Sequence, residues 1–473
     1  MEEYIVFDKA LTKADHVVLQ SLARDIKTAS SVRSRKSKGR DSDCDSGIGS
    51  EESSSSGDEA KAFPPQDDAT TDQDIAALKA SRNPKSAAFE PTIVLSVDDC
   101  DAHLHPLLNH YLLQPYIQLA RRIVRHETDV AMLTHLIIYF TTSVPSALVL
   151  FRHFTYTHAV LHFVMQMYYV GTYTLMQHQH IHQRGILAKT YGLFDRAFPY
   201  ILDPLMGHTW NSYYYHHVKH HHVEGNGPDD LSSTIRYQRD SVPDFLHYVG
   251  RFFFLVWLDL PLYFLGKNRP GLAIRAAGSE LATYAYYYFM SRLVGTKATL
   301  FVYILPFVML RMGLMVGNWG QHAFVDSDEP DSDFRSSITV VDVAVSLSKL
   351  HTQPMIGRDT RKTNEGQSNR FCFNDGYHTS HHLNPLRHWR DHPISFLEQK
   401  HTYAKEGALV FHDIDFLMIT FRLLRKDYEH LAKCLVPMGD QIHLTMDGRV
   451  KLLKRLTRKF TEEEIAEKFR KVQ

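Results

Sequence analysis

The sequence predicts an all-α integral membrane protein in which four transmembrane helices carry a histidine-rich helical cap on the cytosolic side. Three observations predict this fold class: four apolar segments of membrane-spanning character, four histidine clusters beside them, and 30 histidines in 473 residues. Histidine is costly inside a membrane and is the commonest protein ligand for metals. We therefore expect the clusters to form a metal site next to the membrane.

The apolar segments give the expected spans. A helix of about 20 apolar residues is ~30 Å long, which matches the hydrocarbon core of a bilayer. The predicted spans are 131–151, 158–176, 252–266 and 298–316. A fifth stretch, 281–294, is shorter and carries four tyrosines, so we expect it not to cross. Two crossings between the second and third clusters keep all clusters on one side of the membrane, whereas three do not.

The rest of the chain divides by composition. Residues 1–28 form a segment of unknown role, and 29–92 are rich in Ser and acidic residues and poor in aromatics, which predicts a disordered linker. Residues 93–427 form the expected membrane domain, and 428–473 a short cytosolic tail. Within the linker, DSGIGS at 45–50 resembles the DSGxxS phosphodegron of F-box ubiquitin ligases, although plain linker is the favoured interpretation.

Location and partners follow from charge, cysteines and the N-terminal residues. Lys plus Arg and Asp plus Glu both number 53, so net charge says nothing about partners, and we expect no nucleic-acid partner. The four cysteines are scattered, which favours a reducing compartment, and the start MEEYIVFDKA lacks the pattern of a secretory signal. We expect both termini and the clusters in the cytosol. Near the end, Thr461 followed by Glu464 predicts a capped helix over 460–469.

The spacing within the clusters places the imidazoles on single helical faces, because residues three and four apart on a helix are neighbours. The candidate ligands are His178, His182, His217, His220, His221, His322, His378, His381 and His382. One metal with open positions needs only four to six protein ligands, so nine imidazoles predict two metals. Asn318, four residues before His322, is a candidate tenth group that acts through water.

In order and placement, HxxxH, HxxHH, a lone His after a span and a second HxxHH resemble the membrane fatty acid desaturase superfamily over roughly residues 95–425. The resemblance implies that the nine histidines hold two irons, with O2 as co-substrate. It further implies desaturation of a long acyl chain, of a fatty acid or lipid, at the endoplasmic reticulum membrane. An external b-type cytochrome and its reductase are implied as electron donors, since the sequence shows no HPGG, GxGxxG or ferredoxin-type cysteine motif.

Two alternatives stay open from the residues. In the second cluster, His217, His221 and His222 match the HxxxHH pattern of alkane hydroxylases, so His222 could replace His220 as a ligand. The same metal site could then hydroxylate an acyl or alkane-type chain. A membrane receptor or scaffold with structural zinc is a third reading, but it needs far fewer ligands.

Residues around the clusters have expected supporting roles. His180 lies about 200° from His178 on a helix and should point away from the metals. Asp229 and Asp230 follow the second cluster and could accept hydrogen bonds from ligand imidazoles. His388, after the last cluster, is expected to have a structural role.

Overall fold

The computed structural model describes residues 5, 7, 11–40, 68–95, 104–341 and 369–469, and these are mostly helical. The helices before the second histidine cluster are α1 (Lys13–Arg40), α2 (Asp68–Arg82), α3 (Pro106–Leu108, a π-helical Asn109–Leu113 and Gln114–Ile123), α4 (Val130–Arg152), α5 (Tyr156–Gln183) and α6 (Gly192–Leu205). The middle of the chain forms α7 (a π-helical Tyr214–His221 and the turn His222–Glu224), α8 (Val242–Gly266), α9 (Pro270–Leu293), α10 (Thr296–Gln321) and α11 (Asp333–Ser336). The last helices are α12 (His378–Leu383), α13 (His392–Glu398), α14 (Lys400–Lys405), α15 (Phe416–Leu424), α16 (Tyr428–Cys434), α17 (Met446–Leu456) and α18 (Glu462–Lys468). Single 3-10 turns occur at Lys189–Tyr191, Trp389–Asp391 and Gly439–His443, and the strands are β1 (Ile338–Val341), β2 (Leu409–His412) and β3 (Leu435–Val436).

Among the described residues, three helices are long and apolar enough to cross a membrane: α4, α8 and α10. They contain three of the four predicted spans. The remaining predicted span lies in α5, which has 28 residues. α5 is long enough to cross a membrane. Its histidines, glutamines and tyrosines lower its mean hydropathy, however, and it is not one of the three candidate spans. The mostly helical class is confirmed, and three of the predicted spans are candidates by length and apolar composition, while the fourth span and the cytosolic position of the cap stay predictions.

The fifth apolar stretch differs from its prediction. It belongs to α9, a helix of 24 residues rather than the short element expected at 281–294. The sequence hides this length because Glu280 interrupts the apolar pattern. In the fold this carboxylate is paired, since Arg311 of α10 donates to it at 2.8 Å. The first turns of α9 also pack Ala273 and Ala276 against the last turns of α8.

A small sheet corrects the all-α expectation. β1 is parallel to β2, with Ile338 opposite Leu409, and β2 is antiparallel to β3, with Val410 opposite Val436. The hydrophobic clusters on its two faces contain residues from α15, α16 and α17 and from α1. Because β3, α16 and α17 belong to 428–473, the expected tail is part of the folded cap. The predicted helix near its end is confirmed: Thr461 and Glu464 form a capping box at the start of α18.

The N-terminal region also differs from its prediction. α1 continues to Arg40 and α2 spans Asp68–Arg82, so residues 29–40 and 68–82 of the expected linker at 29–92 are helical. Ile75 and Leu78 of α2 pack into the same cluster as Leu22 of α1, which gives these polar segments an apolar contact. Residues 41–67, including the phosphodegron-like 45–50, lie outside the described residues.

Candidate metal centre

Helix ends bring the four histidine clusters together. His178 and His182 occupy the last turns of α5, and His322 caps the end of α10. The tract His216–His222 forms most of α7, and the last cluster is the first turn and a half of α12. Most of these side chains are buried, in a region where the helices leave the apolar core.

Five histidines form the first set, which we call group A: His178, His182, His217, His222 and His381. Each offers one nitrogen, and these nitrogens lie within 4.8 Å of one another. Four Nε2 atoms form a closed ring. The Nε2–Nε2 distances around it are 2.7 Å for His178–His217, 3.1 Å for His217–His222, 2.8 Å for His222–His381 and 3.1 Å for His381–His178. The Nε2 of His182 is buried without a hydrogen-bond partner.

Four histidines form the second set, group B: His221, His322, His378 and His382, whose candidate ligand nitrogens again lie within 4.8 Å of one another. The Nε2 atoms of His322 and His378 are 3.2 Å apart. The Nε2 of His382 is buried and has no hydrogen-bond partner. Groups A and B adjoin, since His221 and His222 are consecutive and the rings of His222 and His382 are centred 4.9 Å apart.

The nitrogens fit two cations. Burial, together with neighbouring histidines, holds the pKa values of His217, His222 and His381 well below the usual range, so these rings are neutral and carry a free lone pair. Two imidazole nitrogens bound at right angles to one metal at about 2.1 Å lie about 3.0 Å apart. The 2.7–3.1 Å edges of group A match that separation. Imidazole sets of this size suit iron, copper or zinc rather than calcium or magnesium.

Hydrogen bonds from outside orient the rings of group B. His221 donates from Nδ1 to Oδ2 of Asp230 at 2.7 Å, and His322 donates from Nδ1 to the carbonyl of Ser336 at 2.7 Å. The Nδ1 of His382 lies 3.5 Å from Asp333. Each contact selects the tautomer that leaves Nε2 free for a metal. The positively polarised imidazole of His221 beside Asp230 holds the pKa of that carboxyl well below its usual range.

Sequence reasoning identified Asp230 but missed Ser336 and Asp333. The acidic run SDEPDSD, which contains Asp333, follows the third histidine cluster, just as the acidic run with Asp230 follows the second. Its position could therefore have indicated Asp333 as a hydrogen-bond acceptor for a ligand imidazole. The side chain of Asp229 pairs with Lys267 instead, and only its backbone carbonyl faces a histidine of the second cluster, His220. His180 does point away from the metals: its Nε2 donates to the carbonyl of Asp195 at 2.9 Å.

The structure brings eight of the nine sequence-predicted ligands into groups A and B and leaves His220 outside. The reason is the π-helical turn, in which backbone bonds join residues five apart and each turn holds one residue more. The amide of His222 donates to the carbonyl of His217 across this turn. His217 and His222 thereby share a face, and His220 turns toward Tyr263, with ring centres 4.3 Å apart.

Asn318 lies one helical turn before His322, as predicted, but its amide group is engaged elsewhere. The Nδ2 donates to the carbonyl of Ser232 at 2.9 Å and to the hydroxyl of Tyr248 at 2.7 Å. Because a carbonyl only accepts, the bond to Ser232 fixes which amide atom faces this loop. The residue therefore ties α10 to the loop after α7 and to α8.

A cavity of about 380 Å³ adjoins both groups. Four histidines from the two groups line it: His178, His217, His221 and His378. The helices supply its apolar wall: Val170, Leu175, Phe252, Leu260, Leu314 and Met315. A largely apolar space lined by imidazoles of both groups suits a hydrocarbon chain beside bound metals.

Comparison with known proteins agrees with this geometry. A family model described as fatty acid desaturase matches residues 155–413, more than half of the chain. The matched range contains every histidine of groups A and B. Searches of curated proteins and of solved structures each found no match.

Proposed function

The chain belongs to the fatty acid desaturase family, and we propose that it is an O2-dependent oxidoreductase that places a double bond in the long acyl chain of a membrane lipid. The observation that carries this proposal is the contact between the apolar cavity and the histidines of groups A and B. In the proposed reaction the acyl chain loses two hydrogens. O2 is reduced to two waters with two further electrons and two protons from outside the chain.

Groups A and B would each hold one iron, with His222 in place of the sequence-predicted His220. Bound iron supplies the activation of O2 that removal of hydrogen from an unactivated C–H bond requires. The protein's own residues do three things. Its imidazoles hold the metals at the end of the cavity, Asp230 and Ser336 fix ring orientation, and the apolar wall keeps one part of the chain beside them and excludes water.

Hydroxylation at the same site was the alternative from the sequence. The position of His222 does not favour it, because both reactions need the same metals and differ only in the fate of the substrate after the first hydrogen leaves. Desaturation therefore stands as the proposal. The electrons are proposed to come from an external b-type cytochrome and its reductase.

Contacts at both ends of α8 support an orientation that differs from the predicted one. Near its start, the hydroxyl of Tyr248 donates to the carbonyl of Ser232 at 3.3 Å. Near its end, Tyr263 donates to Glu224 at 2.5 Å, and Lys267 pairs with the same carboxylate at 3.0 Å. Glu224 ends α7 and Ser232 lies in the loop that follows it, and these contacts support placing both ends of α8 on the same side of the membrane.

In the proposed arrangement α8 lies along the membrane surface, and α9 and α10 make the two crossings between the second and third clusters. The far end of α9 packs Tyr287 and Met290 into the cluster that holds Leu150, at the end of α4. The outward face of α8 is apolar, with Phe254 69% and Leu262 52% exposed, as for a helix embedded in the interface. The number of crossings stays even, which keeps groups A and B together on the proposed cytosolic side of the endoplasmic reticulum.

Lipid profiling tests the reaction. The chain is expressed in a host that supplies its own microsomal cytochrome, and total fatty acids are analysed for double bonds and hydroxyl groups. New double bonds are expected from the wild type and none from His381→Gln. His180→Gln is the matched control because its ring faces away from the metals. Hydroxylated chains without new double bonds contradict the proposal.

A further inference from the structure

The histidine tract of α7 has a second face that the metal centre does not use. His217, His221 and His222 serve groups A and B, while His216 and His220 project to the other side of the π-helical turn. There they meet Asp230. One candidate ligand atom from each of the three residues lies within 4.8 Å of the other two. We propose that His216, His220 and Asp230, here group C, form a third cation site that is separate from groups A and B.

Two buried nitrogens without partners point to this cation. The Nε2 of His216 and the Nδ1 of His220 are both inaccessible and have no hydrogen-bond partner. The His220 side chain is fully buried, and its ring centre lies 5.3 Å from that of His216. A buried polar atom without a partner costs roughly 1–3 kcal/mol. A cation that accepts both lone pairs removes this cost for two residues at once.

The tautomer of His220 depends on the cation. Its Nε2 can donate to the carbonyl of Asp229 at 3.1 Å, and the amide of Leu231 also lies 3.2 Å from the same nitrogen. Donation to Asp229 leaves Nδ1 with a lone pair that faces Oδ1 of Asp230 at 3.8 Å. Acceptance from Leu231 instead puts a proton on Nδ1. A cation between His220 and Asp230 selects the first arrangement.

Asp230 completes the site and connects it to group B. Its Oδ2 accepts from His221, and its Oδ1 accepts from the amide and hydroxyl of Ser232 at 2.8 and 2.7 Å. The hydroxyl of Ser232 can rotate away, which leaves Oδ1 a lone pair for the cation. Charge drawn from this carboxylate by a cation weakens its bond to His221, so filling group C lowers the metal affinity of group B.

The ligand set decides the class of cation. Two imidazoles and one carboxylate suit Zn²⁺ or Fe²⁺, whereas Ca²⁺ and Mg²⁺ prefer oxygen ligands. His216 lines the cavity beside groups A and B, which provides a route of entry. Besides the hydrogen bond of His220 Nε2, the contacts of the two rings are packing against Phe252 and Tyr263, and neither uses the unpartnered nitrogens.

Metal counting tests group C. The full chain, purified in detergent and loaded with iron, is saturated with Zn²⁺ and dialysed, and zinc and iron are both counted by mass spectrometry. One cation more is expected in the wild type than in the double variant His216→Gln, His220→Gln. His180→Gln is expected to keep the full number. This difference of one does not depend on which metal fills groups A and B, so it separates this inference from the proposed iron chemistry.

X-ray absorption at the zinc edge of the wild type is the second measurement, and it does not require a variant to fold. The additional zinc is expected to show two imidazoles and oxygen ligands. Equal metal content in the wild type and the double variant, or an additional zinc with fewer than two imidazoles, overturns the site.

Discussion

His221 donates from Nδ1 to Asp230 at 2.7 Å, and this bond is fully buried. The carboxylate also accepts from the backbone amides of Asn226 and Ser232, so its position is fixed from several directions. Asp230→Asn keeps the size of the side chain but removes its charge. We expect metal affinity at group B to fall by about 10–100-fold.

Competition with a chelator, followed by counting of the retained iron, measures this change. Asp229→Asn is the matched control because that side chain pairs with Lys267 at an exposed position. Equal iron retention in Asp230→Asn and Asp229→Asn contradicts the role of the Asp230 charge.

The position of His222 gives a second prediction. Its Nε2 lies 2.8 Å from that of His381 and 3.1 Å from that of His217. His222→Gln is therefore expected to lower the iron content from two to about one per chain and to abolish product. His220→Gln is expected to retain both irons. If His220→Gln loses iron and His222→Gln does not, the regular HxxHH spacing describes the site and the π-helical placement is incorrect.

The comparison between sequence and structure depends on local backbone geometry. His178 and His182, and likewise His378 and His382, lie on ordinary α-helices, so their spacing of four predicts a shared face. The choice between His220 and His222 requires knowledge of the π-helical turn, which spacing does not reveal.

Prediction of the membrane helices is also limited, because contacts between different helices cannot be read from the sequence pattern. Glu280 looks like an interruption until Arg311, 31 residues later, is seen to pair with it. The need to bring the clusters together predicts an even number of crossings between the second and third clusters. The proposed position of α8 along the membrane surface does not follow from the sequence pattern, because it rests on the contacts of Tyr248 with Ser232 and of Tyr263 with Glu224.

The proposed orientation of α8 predicts a labelling pattern in sealed microsomes. His247 and Arg269 are exposed at the two ends of the α8 region, and Lys297 is exposed at the start of α10. Single cysteines at 247 and 269, in a chain whose four native cysteines are replaced, are expected to react with an impermeant maleimide added outside. A cysteine at 297 is expected to react only after the membrane is opened. Labelling of 247 and 269 from opposite sides establishes α8 as a span.

The stability of the packed N-terminal helix α1 is expected to depend on pH through Asp15. This carboxyl accepts from Thr12 at 2.7 Å, from Tyr377 at 2.8 Å and from Asn369 at 3.0 Å, and burial raises its pKa from 3.8 to about 6. Because the folded pKa is the higher one, folding favours the protonated form. The resulting stabilisation, about 3 kcal/mol at most, is complete below pH ~4 and is lost as the pH rises through 6.

Hydrogen exchange of α1 between pH 5 and 8, corrected for the intrinsic rate, measures this dependence. Protection of α1 is expected to decrease with rising pH, and Asp15→Asn is expected to flatten the profile. The capped helix α18 serves as the internal reference. Protection of α1 that increases with pH in the wild type contradicts the assigned direction.

The cavity predicts a variant that blocks the acyl chain without disturbing the metals. Gly317 lines the cavity on α10, and a Cβ built there meets no atom within 4 Å. Leucine at this position fits the helix and projects into the space, so Gly317→Leu is expected to lower product formation at least 10-fold while both irons remain. Gly278→Leu is the matched control, since Gly278 is exposed on α9 and equally free of contacts. Product analysis with acyl chains of different length, alongside iron counting, separates a blocked cavity from a damaged metal centre. Unchanged product from Gly317→Leu, with the protein folded and iron-loaded, shows that the substrate chain binds elsewhere.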